Sequence, residues 1–254
     1  MTKITAIIPT LNEEIHIADA IKSVSFADEI IVIDSYSSDN TIEIAEQYHV
    51  KIIKRMFDDF SSQKNHAIAQ AKHDWIYILD ADERVTAEVE LEILEAVKNP
   101  KGFVGFFVRR TFYFCGRNIN YGGCQRDKVI RLFLKEHCSY SGVVHERIST
   151  KGKLGFFKNK IEHYSYKDFN HYISKMNHYG ELRAKQYLSV GKKVNLFHIL
   201  IKPSARFFIH YVIRLGFLDG FPGFVFAKSQ AYGVYTRYIK LWLFNQKNDL
   251  ICKK

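Results

Sequence analysis

The chain has 254 residues, of which 47% are hydrophobic and 25% are charged, and these proportions exclude extensive disorder. Its formal net charge of +10 is unevenly distributed, with −10 over residues 1–100 and +20 over residues 101–254. A basic half of this kind faces phosphate, whether in a nucleic acid, a nucleotide or an anionic lipid headgroup. No uncharged apolar run approaches the roughly 20 residues of a membrane-spanning helix, so we expect none.

The start of the chain and its cysteines indicate a compartment. The residues after Met1 have neither the basic nor the long apolar region of a secretory signal. The cysteines have no CxxC pair and no zinc-like spacing; they are Cys115, Cys124, Cys138 and Cys252. We therefore expect reduced thiols and a cytoplasmic location.

The first hundred residues alternate between short β-branched runs and helical patterns. The predicted strands are residues 4–8, 29–33, 50–54 and 75–79. The predicted helices are residues 13–24, 39–48, 61–71 and 87–97. This alternation predicts a Rossmann-like α/β domain, with a mostly parallel central sheet and helices on both faces. Ligands of such sheets bind beyond the carboxyl ends of the strands.

From Phe103 the chain becomes aromatic and basic, which predicts mixed or antiparallel strands. These are residues 103–109, 128–134, 143–148 and 160–164. Helical patterns return over residues 168–190, 196–215 and 224–244. We therefore predict one α/β domain over residues 1–165, followed by a basic, aromatic-rich helical extension over residues 166–254.

Two carboxylates follow the fourth predicted strand, at Asp80 and Asp82. Alternate residues at a strand end point to the same side, so both can face one point. Hard divalent cations take oxygen ligands of this kind and often share them with substrate phosphates. Acidic pairs are also common in surface loops, and only the position after a buried parallel strand favours a metal site here.

The first two strands also end in polar residues. Asp34 can accept hydrogen bonds from a ribose hydroxyl or a base N–H group. Thr10 and Asn12 suit a ligand contact or a helix N-cap, and Glu13 suits a first helical turn. The chain has no glycine-rich phosphate loop, which disfavours a dinucleotide oxidoreductase and a P-loop NTPase. A metal and basic side chains would then have to meet the phosphate charge.

These segments occur in order along the chain: IPTLNE from Ile8, DSYSSDNT from Asp34, QKN from Gln63 and DAD from Asp80. Together they resemble the GT-A fold of glycosyltransferase family 2. Three later segments resemble the branch that includes lipopolysaccharide inner-core glucosyltransferases: KVIRLF from Lys128, GVVHE from Gly142 and IEHYSY from Ile161. The resemblance covers about residues 3–190.

The resemblance implies a site for a nucleotide sugar. Its nucleoside end would be bound by Pro9, Thr10, Glu13, Asp34 and Lys64. It also implies a divalent metal, Mg²⁺ or Mn²⁺, held mainly by Asp82, with Asp80 contacting the ribose or the metal. His163 resembles an additional metal ligand, and a packed strand histidine is the alternative for it.

Inverting transfer needs a carboxylate that deprotonates the acceptor hydroxyl. Of the eight acids beyond residue 100, we choose Glu146, which His145 precedes, and Asp127 is second. An ion pair with Arg147 is the alternative for Glu146. We expect Arg131 to pair with the diphosphate or an acceptor phosphate, with His145 near the same groups; a solvated surface arginine is the alternative for Arg131.

The basic extension mixes aromatic residues with Lys and Arg over residues 196–245. Helices of this composition lie in the headgroup region of anionic membranes, and a helical cap on the core is the alternative. The resemblance implies a bacterial, metal-dependent, inverting transferase, peripheral on the inner face of the cytoplasmic membrane. It would move a hexose, expected to be glucose, from a UDP-linked donor to a lipopolysaccharide core or a related lipid-linked saccharide.

Two other functions remain open from the sequence. A polyprenyl-phosphate sugar synthase shares the amino-terminal motifs but lacks the later histidine-containing segments. A basic nucleic-acid- or membrane-binding protein without catalysis would use the positive half alone. We expect no nucleic acid partner, because no RNP-like or helix-turn-helix pattern occurs and the acidic half would repel a polyanion.

Overall fold

A computed structural model describes residues 2–114, 116–142, 147–164, 166 and 168–251. The chain divides into two compact units. The first unit comprises Met1–Arg110 and Asp127–Tyr164, and the second comprises Thr111–Arg126 and Ser165–Lys254. The second unit therefore takes up a short internal piece of chain, residues 111–126, besides the carboxyl-terminal helices.

The described residues form the following strands and helices. The strands are β1 (Ile4–Thr10), β2 (Glu29–Asp34), β3 (Lys51–Lys54), β4 (Trp75–Ile78), β5 (Glu83–Arg84), β6 (Phe103–Phe114), β7 (Arg117–Ile119), β8 (Lys128–Leu134), β9 (Cys138–Ser141), β10 (Arg147–Thr150) and β11 (Lys153–His163). The α-helices are α1 (Ile17–Ser23), α2 (Thr41–Ala45), α3 (Phe60–Ala69), α4 (Ala87–Lys98), α5 (Phe169–Ser189), α6 (Lys202–Phe208) and α7 (Gly220–Ile251).

The main sheet runs in the order β3-β2-β1-β4-β8-β6-β11-β5, with β7 paired to β6. Strands β1 to β4 are parallel, and β8 pairs antiparallel with β4 and with β6. Strands β9 and β10 form a separate antiparallel pair. The α/β fold predicted from the sequence is confirmed, with its Rossmann-like parallel half extended by antiparallel strands.

Both faces of the parallel half are covered by helices. Successive strand residues point to opposite faces, so Ile8 packs with α1 and α4, whereas Ile7 packs with α3. Ile7, Ile8, Ile31 and Ile78 are all fully buried. Burial of one such side chain stabilises the fold by roughly 1.5–3 kcal/mol, so this sheet is a rigid platform for the loops at its edge.

Several elements differ from their predicted bounds. Helix α1 begins at Ile17 and not at residue 13, because the backbone before it forms turns. Strand β11 begins at Lys153, seven residues before the predicted strand. The predicted strand over residues 143–148 is described only from Arg147, where β10 begins. Strands β5, β7 and β9 were not predicted.

The second unit is mainly helical. Helix α5 begins after Asp168, whose side chain accepts a hydrogen bond from the His171 N–H at 2.7 Å. Its long partner is α7, and the two pack closely: a Cβ added at Gly233 of α7 would lie 2.2 Å from the Met176 side chain of α5. Their shared core includes Tyr172 and Tyr238.

Between α5 and α7 lies a chain segment that exposes many apolar side chains. It contains π-helical turns over Phe197–Ile201 and Ile209–Ile213 on either side of α6, where the sequence predicted one helix. Its large exposed side chains include Leu196, Phe197, Leu200, Ile201, Phe208, Ile213, Phe217, Leu218 and Phe221. We call residues 196–221 the exposed segment. No helix in the described part of the chain is both long and apolar enough to cross a membrane.

Candidate functional site

The first two strands end side by side. Thr10 and Asp34 are direct neighbours in the β1–β2 register, and both are buried. Pro9 lies one residue earlier, opposite Ile33. The Thr10 hydroxyl oxygen is buried and has no hydrogen-bond partner among the described residues. The ends of β1 and β2 thus place a buried carboxylate beside a buried hydroxyl that has no partner among the described residues.

The loops after these strands are bound to each other. Ser37 donates hydrogen bonds from its N–H and its hydroxyl to the Asp34 carboxylate, and its Oγ accepts one from the Asn12 N–H at 2.8 Å. Asn12 accepts a hydrogen bond from the Ser38 N–H at 2.8 Å and has a left-handed φ of 56°, which asparagine tolerates. The Glu13 N–H is held by the Thr41 hydroxyl at 2.8 Å. The loop backbone is thus ordered before any ligand binds.

Helix α3 brings a buried cation to the end of β4. Lys64 is only 2% exposed, and its Nζ lies 3.4 Å from Asp80 Oδ1 and 5.2 Å from the centre of the Tyr140 ring. The helix begins at Asp59, whose side chain accepts a hydrogen bond from the Ser62 N–H at 2.8 Å. This capping fixes the first turn, and the position of Lys64 one turn later follows from it.

Asp80 is held by a second cation, Arg131 of β8. One guanidinium nitrogen of Arg131 bonds both Asp80 and Glu83, the latter at 2.6 Å. Burial by itself would raise the pKa of Asp80, but the charges of Arg131 and Lys64 outweigh it and hold that pKa well below its usual range. Because 34% of the Asp80 side chain is exposed, solvent screens part of this attraction. Asp80 is therefore a fixed, ionised carboxylate.

The network extends to two residues that the sequence analysis did not single out, Glu83 and Arg110. Glu83 is fully buried, and Arg110 reaches its Oε1 at 3.2 Å. Arg110 also forms a two-bond pair with Asp127, at 2.8 and 2.9 Å. Burial raises the pKa of the Tyr77 hydroxyl beside them, with Glu83 adding to the effect. The turn after β4 is thus held by a network of ion pairs in which buried and partly exposed charges alternate in sign.

Asp82 has different neighbours from Asp80. Strand β11 pairs with β5 so that His163 faces Glu83, and the Tyr164 N–H donates to the Asp82 carbonyl at 2.8 Å. This pairing brings His163 Nε2 to 3.5 Å from Asp82 Oδ2. Both side chains remain partly exposed, at 14% for His163 and 24% for Asp82. A carboxylate oxygen and an imidazole nitrogen therefore meet at the solvent-facing side of the turn.

Of the residues that the sequence analysis assigned to the site, most lie at this edge of the first unit. Asp127 and Arg131 are placed there by their pairs with Arg110 and Asp80. His145 and Glu146 lie outside the described residues. Within the described ranges, no group of three or more His, Cys, Asp or Glu residues could hold a metal ion.

The charge network had no signal in the sequence beyond the adjacency of Glu83 to Asp82. Its members are 27 and 48 residues apart from Glu83 along the chain, at Arg110 and Arg131. Such separations leave no periodic pattern.

The model of glycosyl transferase family 2 matches residues 5–123. An uncharacterized glycosyltransferase of Rickettsia felis is 31% identical over 254 residues, covering 95% of this chain and 90% of the relative. The lipopolysaccharide core biosynthesis glycosyltransferase LpsC of Rhizobium meliloti is 26% identical, covering 92% of this chain and 93% of LpsC.

Among solved structures, the chain is similar to glucosyl-3-phosphoglycerate synthase from Mycobacterium tuberculosis in complex with Mn²⁺, UDP and glucosyl-3-phosphoglycerate. The TM-score is 0.38 and the identity 24%, over 46% of each chain. The family model covers the strand ends described above, and the Rickettsia relative extends over nearly the whole sequence. The chain therefore belongs to glycosyl transferase family 2.

Proposed function

We propose that the protein is an inverting hexosyltransferase that moves glucose from a UDP-linked donor to a lipopolysaccharide core or a related lipid-linked saccharide. The observation that carries this proposal is the pair formed by Asp82 and His163 beside the fixed carboxylate of Asp80. The pair lies past the carboxyl ends of parallel strands, where ligands of such sheets bind. The similarity to LpsC supports the acceptor class.

The nucleoside end of the donor would lie at the ends of β1 and β2. The buried Thr10 hydroxyl needs a partner, and a ribose or base group would provide one. Asp34 gives each carboxylate oxygen one bond to Ser37 and keeps further lone pairs for a ribose hydroxyl or a base N–H. Pro9, Glu13 and Lys64 would complete this part of the site.

The donor atoms at the turn fit a divalent ion with few protein ligands. Mg²⁺ is commonly bound by one or two carboxylates together with substrate phosphates, and Mn²⁺ also accepts imidazole. Asp82 and His163 would hold the ion, next to Asp80. When bound, the ion supplies the positive charge that stabilises the departing diphosphate. Arg131 and Lys64 keep Asp80 ionised, so we assign Arg131 a positioning role.

The acceptor hydroxyl must lose its proton as it attacks. In our proposal Glu146 takes this proton, the oxygen bonds to the anomeric carbon, and the bond from that carbon to the diphosphate breaks with inversion. His145 would contact the acceptor or the diphosphate. Asp127 gives both carboxylate oxygens to Arg110, which favours Glu146 over Asp127 as the base.

A lipid-linked acceptor would lie at a membrane surface. The exposed segment presents apolar side chains such as Phe221, which is 78% exposed, on a unit with seventeen Lys and Arg and four Asp and Glu. Apolar and basic groups together favour the headgroup region of anionic membranes. We propose a peripheral location on the inner face of the cytoplasmic membrane.

The metal and base assignments are tested by Asp82→Asn and Glu146→Gln. We expect Asp82→Asn to lose the rise in melting temperature that Mn²⁺ adds to UDP binding, and to lose transfer from UDP-glucose. Glu146→Gln should keep UDP binding and lower transfer by about 10²–10⁴-fold. Asp74→Asn, an exposed carboxylate of the same unit, is the control and should behave as the wild type. Full transfer by Asp82→Asn would overturn the metal assignment.

The membrane contact is tested by vesicle flotation of Phe221→Ser. We expect weaker flotation with vesicles that contain phosphatidylglycerol and an unchanged melting temperature, because Phe221 contributes little to the core. Leu91→Ser is the matched control, since Leu91 is 69% exposed on the first unit. Equal flotation of the wild type and both variants would remove the membrane proposal.

A further inference from the structure

The second unit contains two arginines that contact one buried histidine. His210 is 5% exposed, and its Nε2 lies 3.3 Å from Arg206 NH1 and 3.4 Å from Arg214 NH1. Two guanidinium groups thus share a single nitrogen acceptor. Arg237 lies close enough to Arg206 for its charge, like that of Arg214, to lower the pKa of Arg206 further than burial does alone, and it is hydrogen-bonded to Tyr187.

Three of the four acids of this unit are engaged elsewhere. Asp168 caps α5, and Glu181 pairs with Lys185 at 2.8 Å and with Lys240 at 3.6 Å. Asp219 accepts the backbone N–H groups of Asn120 and Tyr121. The fourth, Asp249, has no described side chain. Among the described residues, therefore, no carboxylate forms an ion pair with any of the three arginines.

The histidine does not add to the positive charge at neutral pH. Burial lowers the pKa of His210, and the charges of Arg214 and Arg206 lower it further, to about 4, against a small opposing effect of a hydrogen bond with the Gly122 backbone. A neutral imidazole accepts hydrogen bonds from the guanidinium groups through Nε2. It therefore holds the arginines together without neutralising them.

The local backbone makes room for this arrangement. Gly123 has a φ of +107°, and a Cβ at that position would lie 2.6 Å from Arg214 NH1. The Gly122 N–H donates to the Arg214 carbonyl at 2.9 Å. A side chain at residue 123 would displace the guanidinium, so a glycine here keeps Arg214 beside His210.

We propose that Arg206 and Arg214, which share His210, bind a phosphate group, with Arg237 adding its charge beside Arg206. Like charges gathered without a counter-ion are a cost to the folded protein, and a dianion with several acceptor oxygens removes it. Guanidinium groups match phosphate with paired N–H donors, and each carries five of them. The buried Arg237 Nε has no hydrogen-bond partner among the described residues, which is a further unfilled donor.

The phosphate could be carried by a soluble molecule or by a lipid, and both present the same chemistry. Arg206 and Arg214 belong to the exposed segment, in which Ile213 is 64% exposed and Leu218 is 53% exposed. Such neighbours suit a phosphate at a membrane surface as well as one on a free sugar. The proposal does not depend on the transfer reaction.

The first experiment measures melting temperature of the full-length protein against inorganic phosphate, with NaCl at equal ionic strength as the reference. We expect phosphate to raise the melting temperature of the wild type. Arg206→Gln and Arg214→Gln should weaken the apparent phosphate affinity at least about tenfold, equivalent to 1.4 kcal/mol. Arg117→Gln removes the same charge from an exposed position of the same unit and should keep the wild-type response.

Arg206→Gln has a second expected effect that a merely structural arginine would not show. Without phosphate it should melt at the same temperature as the wild type or higher, because one of the repelling charges is gone. The same variant should retain the stabilisation by UDP, which separates this site from the donor site.

A second experiment distinguishes the sources. Phosphatidylcholine vesicles with and without phosphatidic acid are floated with the same variants. Loss of the phosphate response alone supports a soluble ligand, and loss of phosphatidic acid binding in Arg206→Gln but not Arg117→Gln supports a lipid headgroup. The proposal is overturned if neither response depends on Arg206 and Arg214, or if Arg206→Gln destabilises the phosphate-free protein.

Discussion

The arginines described above have different neighbours in the two units. In the first unit, which has 20 Lys and Arg against 23 Asp and Glu, Arg131 and Arg110 are bound to carboxylates. In the second unit, with 17 against 4, Arg206 and Arg214 surround a neutral imidazole. Paired charges hold a loop in one geometry, whereas the arginines beside His210 are the basis of the phosphate site proposed above.

The apolar residues differ in the same way. Ile7 and Ile78 of the first unit are fully buried, whereas Phe221 of the second is 78% exposed. The central strands of the first unit are covered by its own helices, although single apolar side chains such as Leu91 are exposed. The second unit leaves many apolar side chains exposed, and its arginines Arg206 and Arg214 have no carboxylate partner among the described residues. Substitutions of these residues should therefore alter binding more than folding.

The largest expected effect comes from breaking a paired arginine. Arg131→Met removes the cation that Asp80 and the buried Glu83 share, and leaves them only the more distant Lys64 and Arg110. We therefore expect the free energy of unfolding to fall by about 3–5 kcal/mol. Urea denaturation measures it. Arg109→Met, which removes an exposed arginine with one hydrogen bond to the Lys158 carbonyl, should cost about 1 kcal/mol or less. Similar losses of unfolding free energy in both variants would mean that the buried ion pairs of Arg131 contribute no more than the single hydrogen bond of Arg109.

The second largest effect on stability is expected from a change of pH, because His210 of the second unit and Asp80 of the first respond over different pH ranges. The pKa of His210 is lowered to about 4 in the folded protein, so between about pH 6.5 and 4 unfolding takes up a proton. Stability from this group is present above about pH 6.5 and is lost as the pH falls to about 4, by roughly 3 kcal/mol in total. Asp80, whose pKa is also lowered, loses its contribution only below about pH 4.

This pH dependence is measured by urea midpoints of the wild type and His210→Gln between pH 7 and pH 4. Other histidines titrate equally in both proteins and cancel in the difference. The variant should show the shallower decline. Parallel curves would contradict a neutral, buried His210.

The smallest effect is expected from the hydrogen bonds that join the two loops of the first unit through the Ser37 hydroxyl. Ser37→Ala removes one partner of Asp34 and one of Asn12, which should cost about 1–2 kcal/mol of unfolding free energy. We also expect UDP binding to weaken several-fold, because the loop is less ordered. Ser38→Ala is the control, since the closer bond of Ser38 to Asn12 comes from its backbone N–H. Isothermal titration with UDP would show an equal loss in both if the hydroxyl of Ser37 were unimportant.

The parts of the fold that local patterns encode were predictable. Apolar strands followed by helices predicted the parallel half, because period and strand length are readable over a few residues. The start of α1 was predicted too early, at residue 13. The residues before it looked helical, but Asn12 has a left-handed backbone and the Glu13 N–H bonds to Thr41. The contact between Glu13 and Thr41 joins positions 28 residues apart and leaves no local signal.

The candidate site was predictable in the same uneven way. The sequence singles out Asp80 and Asp82 because they follow a buried strand, whereas the pairing of Glu83 with Arg110 and Arg131 depends on the order of distant strands in the sheet. The sequence predicts one helix over residues 196–215, within the exposed segment. The structure interrupts it with π-helical turns, which depend on packing and not on periodicity.

The contact between Asp82 and His163 joins residues 81 positions apart and depends on a strand, β5, that is only two residues long. Closing so long a loop is slow, and two residue pairs cannot hold it before the neighbouring strands are in place. The nucleoside contacts that we propose for Thr10 and Asp34 need only the first strands. During synthesis the site should therefore form in two stages, with affinity for the nucleoside preceding affinity for the metal-bound diphosphate, which appears only once β11 is complete.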